Sequence, residues 1–414
     1  MVKEGALPGA EAPDRSEGFG ERVLGVLLDQ ALRSPPQSIA PLVAQQVGRM
    51  GGRDVSILLQ DYAQSLLVPM PGRGLGVTEP QPIDDSPAGS AFLRVTDVQV
   101  PRPDGVRVYM PLLDGSDQLG VLACTFDAVD DDDRRLLRRL SIVVAGLLAT
   151  KQMYTDQFFQ VRRREPMSVA AEMQWSLLPP LVMRLPQVEL AGNLEPAYEI
   201  AGDSFDYALN DSVLHAAVFD AMGHDLHAAT MATVAVGAYR HARRAEIRLA
   251  EKYAFMDRAI AGQFGPDHFV TAQMMHLNIS TGRLEMVNAG HPAPLLIRGH
   301  EVARQLEGPT TLPVGFGGHQ PRIGEVRLRR RDRVLFYTDG VIEERDAQGR
   351  PFGVERLIGC VNRMQRTGER VSGAVRWLSR TLKEERGGRT SDDATLLLIE
   401  WRGAGTGRRA PSPS

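Results

Sequence analysis

Four short segments in the C-terminal half of this 414-residue chain carry aspartates in settings suited to chemistry. They are Ala201-Gly-Asp-Ser-Phe-Asp206, Val218-Phe-Asp-Ala-Met-Gly-His224, Val334-Leu-Phe-Tyr-Thr-Asp-Gly-Val341 and Thr390-Ser-Asp-Asp-Ala-Thr-Leu-Leu397. Asp220 and Asp339 each close an apolar run with strand character, and Asp392 stands just before the apolar run Ala394 to Ile399. A carboxylate at a strand terminus can point into the mouth of a sheet rather than into its core. Several such ends converging from different strands build a cluster of negative charge, which a hard divalent cation neutralises. An oxygen donor set without His or Cys favours Mg²⁺ or Mn²⁺ over Zn²⁺. A single Asp-Gly after a strand is ordinarily a turn; the argument rests on the four segments together.

The elements that must position these groups are legible as apolar runs between turn residues. Strands are expected at Leu190 to Leu194, Ser212 to Phe219, Val270 to Asn278, Leu284 to Val287, Leu295 to Arg298, Glu325 to Leu328, Val334 to Tyr337 and Thr395 to Trp401. Helices are expected near 226–244, 247–262, 353–365 and 370–384. Sequential hairpins with inserted helices imply two antiparallel sheets packed face to face with helices outside, an α+β architecture.

The segments in this order resemble the PPM family of metal-dependent protein phosphatases, the protein phosphatase 2C group. The likeness is greatest to its bacterial branch of sporulation stage-two and stress-response phosphatases that act in sigma-factor control. Met173-Gln174 with Leu177-Leu-Pro179, Asn288-Ala-Gly-His-Pro-Ala-Pro-Leu-Leu296 and Thr311-Leu-Pro-Val-Gly-Phe316 extend the resemblance over about residues 168–402. It implies a β-sandwich flanked by helices with two Mn²⁺ or Mg²⁺ ions at one end. It also implies Asp203 and Asp220 as ligands, with Asp220 able to bridge both ions, the backbone carbonyl of Ala221 as a further ligand, and Asp339 and Asp392 completing the site. Two ions ~3.5–4 Å apart lower the pKa of a shared water, which attacks phosphorus in line with the serine or threonine oxygen. Asp393 falls where many relatives have Asn and is expected to support the ligands or the turn. Asp206 is either a metal neighbour or a capping residue. Met222 stands where animal relatives carry a His suggested as proton donor; His224 either serves as general acid or closes the turn before the next helix. His291, in a Gly-His-Pro turn, is expected to shape a hairpin corner, and Arg329 to Arg331 a solvated turn. The branch implies a phosphorylated regulatory protein, of the anti-anti-sigma factor type, as substrate.

Residues 21–150 read as a separate block. Val23, Leu24, Leu27, Leu28 and Leu32 recur at helical spacing up to Pro35-Pro36, and a second helix, Pro41 to Met50, stops at Gly51-Gly52. Strands are expected at Val55 to Gln60, Ser65 to Val68, Val106 to Met110 and Leu119 to Phe126, with a short helix over Ser86 to Arg94. A last helix follows the acidic run Asp130 to Asp133, which suits a helix N-terminus. Helices on an antiparallel sheet of about five strands make this block α+β as well. Ala88-Gly-Ser-Ala-Phe92 and Met110-Pro-Leu-Leu-Asp-Gly-Ser-Asp-Gln-Leu-Gly-Val-Leu122 resemble GAF domains, which implies a sensor that binds a small ligand or a module that only dimerises. Residues 151–180 read as a connector broken at Pro166. Its stripe Ala170, Met173 and Leu177 is either an ordinary surface helix or the seam of a homodimer. Residues 1–20 and 403–414 read as loose tails, leaving 181–402 as the phosphatase-like domain.

Composition excludes other classes. A net charge of -3 creates no overall field for nucleic acid or an anionic membrane. Two cysteines far apart form no disulfide framework. Cys360 and Arg366 have the spacing of cysteine-dependent phosphatases, but the segment between them lacks Gly and reads as helix. No secretory signal and no apolar run of ~18 residues is present, so a cytoplasmic location is expected. Two alternatives stay open at this level: a scaffold whose metal site has decayed, and a two-metal hydrolase of small phosphoesters.

Overall fold

The computed structural model describes residues 17–115, 117–199, 202–223, 225–317, 321–344, 350–385 and 393–403. The chain divides into two units, Met1–Arg164 and Glu165–Ser414.

The first unit begins with α1 (Glu17–Arg33) and α2 (Ile39–Arg49), followed by β1 (Arg53–Gln60), β2 (Leu66–Pro69), β3 (Gln81–Pro82) and α3 (Pro87–Arg94). Then come β4 (Val98–Arg102), β5 (Gly105–Asp114), β6 (Asp117–Phe126), α4 (Asp131–Lys151) and α5 (Gln157–Arg162). The strands form one antiparallel sheet in the order β3-β2-β1-β6-β5-β4. Its six strands exceed the expected five or so, because Val98-Gln-Val-Pro-Arg102 has little apolar signal and pairs along its length with β5. Side chains alternate between the faces. Ile57, Leu59, Leu122 and Cys124 pack under α1, α2 and α4, whereas Leu58, Val121 and Ala123 pack against Ala88, Ala91 and Phe92 of α3. Gly120 is required by close approach, since a Cβ there would meet the Leu58 carbonyl oxygen at 1.9 Å. The acidic run starts α4 as expected. Asp130 and Asp133 exchange side-chain to backbone hydrogen bonds in a capping box, with Asp131 and Asp132 also in the first turn.

The second unit begins with α6 (Val169–Leu177), β7 (Val182–Arg184), β8 (Val188–Glu195), β9 (Asp203–Asn210), β10 (Val213–Ala221), α7 (Leu226–Arg244) and α8 (Leu249–Phe264). It continues with β11 (Val270–Asn278), β12 (Arg283–Ala289), β13 (Leu295–Arg298), β14 (Glu301–Gln305), β15 (Thr310–Thr311), β16 (Gly324–Arg327) and β17 (Arg333–Tyr337). The last elements are α9 (Gly340–Glu343), α10 (Gly353–Arg366), α11 (Val371–Glu385) and β18 (Ala394–Trp401). One sheet has the order β15-β12-β11-β10-β9, with β16 also on β12; the other has the order β14-β13-β17-β18-β8-β7. All pairings are antiparallel except β12 with β15.

Alternation along the strands explains the layers. Leu214, Ala216 and Val218 of β10 face Leu190, Val334, Phe336, Leu397 and Ile399 of the other sheet. The intervening Ala217 and Phe219 face Ala228, Met231, Tyr239 and Tyr253 on α7 and α8. Helices α10 and α11 cover the opposite face through Leu357, Val361, Val375 and Leu378. The result is a sandwich of two sheets between two helical layers. Each fully buried Leu, Val or Phe contributes roughly 1.5–3 kcal/mol by leaving water.

Two polar clamps fix the outer helices of the first sheet. Asp206 on β9, 1% exposed, accepts from Arg240 at 2.7 Å and is ion-paired with Arg243, both on α7. Lys252 on α8 lies 2.9 Å from His276 Nε2 and 3.3 Å from His215 Nδ1, with its ammonium over the Tyr239 ring. Removing one partner of a buried pair leaves the other charge unmatched. Asp206→Ala, which leaves the buried Arg243 without that carboxylate, is therefore expected to lower the stability of this unit by about 3 kcal/mol in urea unfolding of the full chain. A loss below about 1 kcal/mol would mean that Asp206 does not clamp α7.

Candidate metal centre

Strand β9 was not evident from its apolar content, yet it carries the first expected ligand. Asp203 opens β9 and pairs directly with Asp220 on β10. Paired residues on neighbouring antiparallel strands sit about 4.5–5.5 Å apart at Cα and project from the same face. That face is the inner one, shared with Phe205 and Val218, so both carboxylates lie at one end of the sandwich. The other sheet contributes Thr338, which follows β17 and donates to Asp203 Oδ2 at 2.7 Å. Thr395 of β18 donates its backbone N–H to the Thr338 hydroxyl at 2.9 Å. Asp393, just before β18, accepts from the backbone N–H of Asp203 at 3.0 Å and from that of Gly202. Gln174 on α6 completes the support, donating to the Asp203 carbonyl at 2.9 Å and to Asp393 at 3.3 Å.

The electrostatics follow from this crowding. Asp203 is 2% exposed. Burial first, then the charges of Asp220 and Asp393, push its carboxyl well above the usual range, against the hydrogen bond from Thr338. A buried carboxylate facing two others is costly unless a cation shares the site. Ala221 is also in place: its backbone oxygen approaches Gly202 so closely that a Cβ at that glycine would lie 2.9 Å away. To a bound cation, Asp203, Asp220 and the Ala221 carbonyl would offer oxygen donors, of the kind that suits Mg²⁺ or Mn²⁺. Among the described residues no three His, Cys, Asp or Glu side chains are grouped as a ready metal cage. Asp392, the expected ligand from the last segment, lies outside the described residues, as does His224. Asp339 is half-buried and immediately precedes α9, whose first turn its carbonyl caps by accepting from Ile342 and Glu343 N–H at 2.8 Å.

Other expectations resolve by register. Asp206 lies three residues beyond Asp203, so the two-residue period turns it to the opposite face, where Arg240 and Arg243 hold it. It is a structural ion-pair partner and not a metal neighbour. The stripe on α6 is partly covered within its own unit: Ala170 is buried against Ala229 of α7, with Met173 packed on them. Leu177, the last residue of the stripe, is half-buried and stands outside that contact. His291 shapes the expected corner, its backbone clasped by Asn288 through two 2.8 Å hydrogen bonds. Its Nδ1 lies 2.8 Å from Thr271 Oγ1, which also approaches Asp220 Oδ2 at 3.5 Å. Burial lowers the His291 imidazole to about 3, so the ring is neutral. Arg329 to Arg331 are exposed, as expected. Cys360 and Arg366 both lie on α10, and burial pushes the Cys360 thiol up to about 11. No phosphate-cradling loop separates them, which excludes a cysteine nucleophile.

Thr338, Thr271 and the strand character of β9 were not singled out from sequence. Thr338 stands inside the segment Tyr337-Thr-Asp339, where its hydroxyl carries no pattern of its own beside the Asp339 carboxylate. The second has no motif, and only its register opposite Asp220 brings it to the site.

Residues 210–402 match the family described as stage II sporulation protein E, SpoIIE. Those residues form a domain of the SpoIIE type. The match includes Asp220, Ala221, His224, Asp339 and Asp392 and begins after Asp203 and Asp206. Phosphoserine phosphatase RsbP of Bacillus subtilis (strain 168) is 25% identical over 194 residues, 45% of this chain and 47% of the relative. The chain thus spans about half the length of that relative. A structure of the RsbU and RsbW domains of a Mycobacterium tuberculosis protein has 27% identity over 53% of this chain and 63% of the other, at a TM-score of 0.47. The SiaA PP2C domain of Pseudomonas aeruginosa has 20% identity over 56% of this chain and 94% of that domain, also at 0.47. No helix of the described residues is long and apolar enough to cross a membrane.

A raised Asp203 pKa fixes the sign of a linkage effect in this SpoIIE-type unit. Because the folded value lies above the unfolded one, the favourable contribution is complete below the ordinary carboxyl pKa. It is lost as pH rises through the folded value. At neutral pH the metal-free protein carries this cost. Asp203→Asn is expected to raise the Tm in EDTA, and Mn²⁺ to raise the Tm of the wild type far more than that of the variant. Differential scanning calorimetry measures both; a lower Tm for the variant in EDTA would contradict the assignment.

Proposed function

We propose that the C-terminal unit is a metal-dependent phosphatase hydrolysing phosphoserine or phosphothreonine on a regulatory protein. The observation that carries this reading is Asp203 paired with Asp220 at the mouth of the sandwich, buried and electrostatically burdened, in a unit whose residues 210–402 match the SpoIIE family. The phosphoserine activity named for RsbP supports the reaction class.

A pair of divalent cations, Mn²⁺ or Mg²⁺, would supply the charge that offsets the phosphoryl oxygens and makes water nucleophilic at neutral pH. Asp203, Asp220, the Ala221 carbonyl, Asp339 and Asp392 are the groups proposed to hold them. Thr338 keeps Asp203 oriented through Oδ2. Asp393 and Gln174 hold the Asp203 backbone, so the carboxylate is fixed before substrate arrives. Water adds to phosphorus as the P–O bond to the serine or threonine oxygen breaks, and that oxygen leaves as the alcohol after taking a proton. His224 is the residue proposed to supply the proton.

Further parts of the reading concern partners and control. The substrate is proposed to be a phosphorylated protein of the anti-anti-sigma factor type. The first unit, with its resemblance to GAF domains, is proposed to be a sensor that gates the second and takes a small ligand, in a cytoplasmic homodimer. Gln174 supports gating: it sits on α6 and bonds directly to the backbone of Asp203. Any change in the pose of α6 therefore reaches the candidate ligand through one side chain.

The reading is tested by hydrolysis of a phosphoserine peptide by the full chain with Mn²⁺, with EDTA, and by Asp220→Ala with Mn²⁺. Activity dependent on Mn²⁺ and reduced on the order of 10²-fold or more in the variant is the expected outcome. Equal activity in EDTA, or an unimpaired variant, would refute it.

A further inference from the structure

Beside the candidate metal centre the chain exposes apolar side chains that the chemistry does not use. Met222 is 39% exposed and Phe316 41%. They are joined through Phe269: the Met222 N–H donates to the Phe269 carbonyl at 3.2 Å, and the Phe269 and Phe316 rings lie 4.8 Å apart. The loop that presents Phe316 is held from below by buried groups. Asp257 on α8 accepts from the backbone N–H of Gly315 at 2.8 Å and of Gly317 at 3.1 Å. The Tyr253 hydroxyl donates to the Leu312 carbonyl at 3.0 Å, and Val314 bridges Val270. Gly315 adopts φ 113, where a Cβ would collide with the His268 carbonyl oxygen at 2.6 Å. A buried carboxylate, a buried tyrosine and a strained glycine thus fix an aromatic ring in water, an arrangement that opposes ordinary burial.

We propose that Phe316, with Phe269 and Met222, forms an apolar wall that receives the side chain next to the phosphoserine in a protein substrate, and so selects protein over small phosphoesters. This rests on the phosphatase reading. The distance fits: Met222 follows the end of β10 two residues from Asp220, at most about 7 Å along the chain, and one or two residues of an extended peptide span that length. An occupant tethered to the reacting phosphate therefore meets the wall. A second copy of this chain fits less well. Three partly exposed side chains offer on the order of 300 Å², well short of the ~800 Å² per partner of a stable interface.

The test uses the full chain with Mn²⁺ and two variants, Phe316→Ala and Phe316→Leu. Hydrolysis of p-nitrophenyl phosphate is compared with that of phosphoserine peptides bearing Leu or Asp at the flanking positions, and peptide binding is followed by fluorescence anisotropy. The wild type is expected to prefer Leu-flanked peptides about tenfold in kcat/KM. Phe316→Ala is expected to lose that preference and Phe316→Leu to keep part of it, each read as the ratio of Leu-flanked to Asp-flanked peptide in the same variant. Loss of p-nitrophenyl phosphate turnover in the wild type would defeat the phosphatase reading, and anisotropy would then decide the wall by itself. Equal binding of both peptides, or no effect of Phe316→Ala, would overturn the wall. So would a concentration-dependent dimer in sedimentation that Phe316→Ala abolishes.

Discussion

Carboxylates forced together at the mouth of a sandwich are the constraint around which the second unit is arranged. Asp203 and Asp220 are opposite one another because β9 and β10 are joined as a hairpin with that register. Asp393 arrives 190 residues later in the chain and accepts from the backbone N–H of Asp203. Like charges in low dielectric repel strongly, so the geometry persists only through the donors that surround it. Thr338, the Gly202 and Asp203 N–H groups and Gln174 are those donors, and they come from three different parts of the chain.

The same strand shows how one period separates two uses of an acid. Asp203 and Asp206 differ by three positions, so one faces the other sheet and one faces α7. The inward acid is crowded by other acids and hydrogen-bonded by neutral groups. The outward acid is matched by two guanidinium groups and secures a helix. Identical side chains thus become a candidate metal ligand and a structural clamp through orientation alone.

The helical layer then shapes the rim. Lys252 is held between His215 and His276, which burial first and the nearby ammonium next push down to about 4 and about 3. Neutral imidazoles accept from the ammonium and keep α8 on the sheet. Five residues on, the same helix presents Asp257, which holds the loop carrying Phe316. A line of polar contacts therefore runs from the outer face of the sheet to the exposed edge beside the site.

Much of this was legible in the residues themselves. The apolar periods fixed β10, β11, β13, β17, β18 and the helices α7, α10 and α11 to within a few residues, since local alternation reports which face is buried. The acidic segments marked Asp220 and Asp339 because Asp after an apolar run stands out against its surroundings, and Asp203 came in through the family resemblance that its segment helps to carry. Strands β4 and β9 were not visible, as their polar content hides a pairing that only long neighbours stabilise. Tertiary structure alone decided that Asp206 leaves the site, that Thr338 and Thr271 enter it, and that Ala170 of α6 packs against Ala229 of α7. Sequence determines the type and period of each side chain; which groups meet depends on register between segments more than a hundred residues apart, and no local pattern encodes that register.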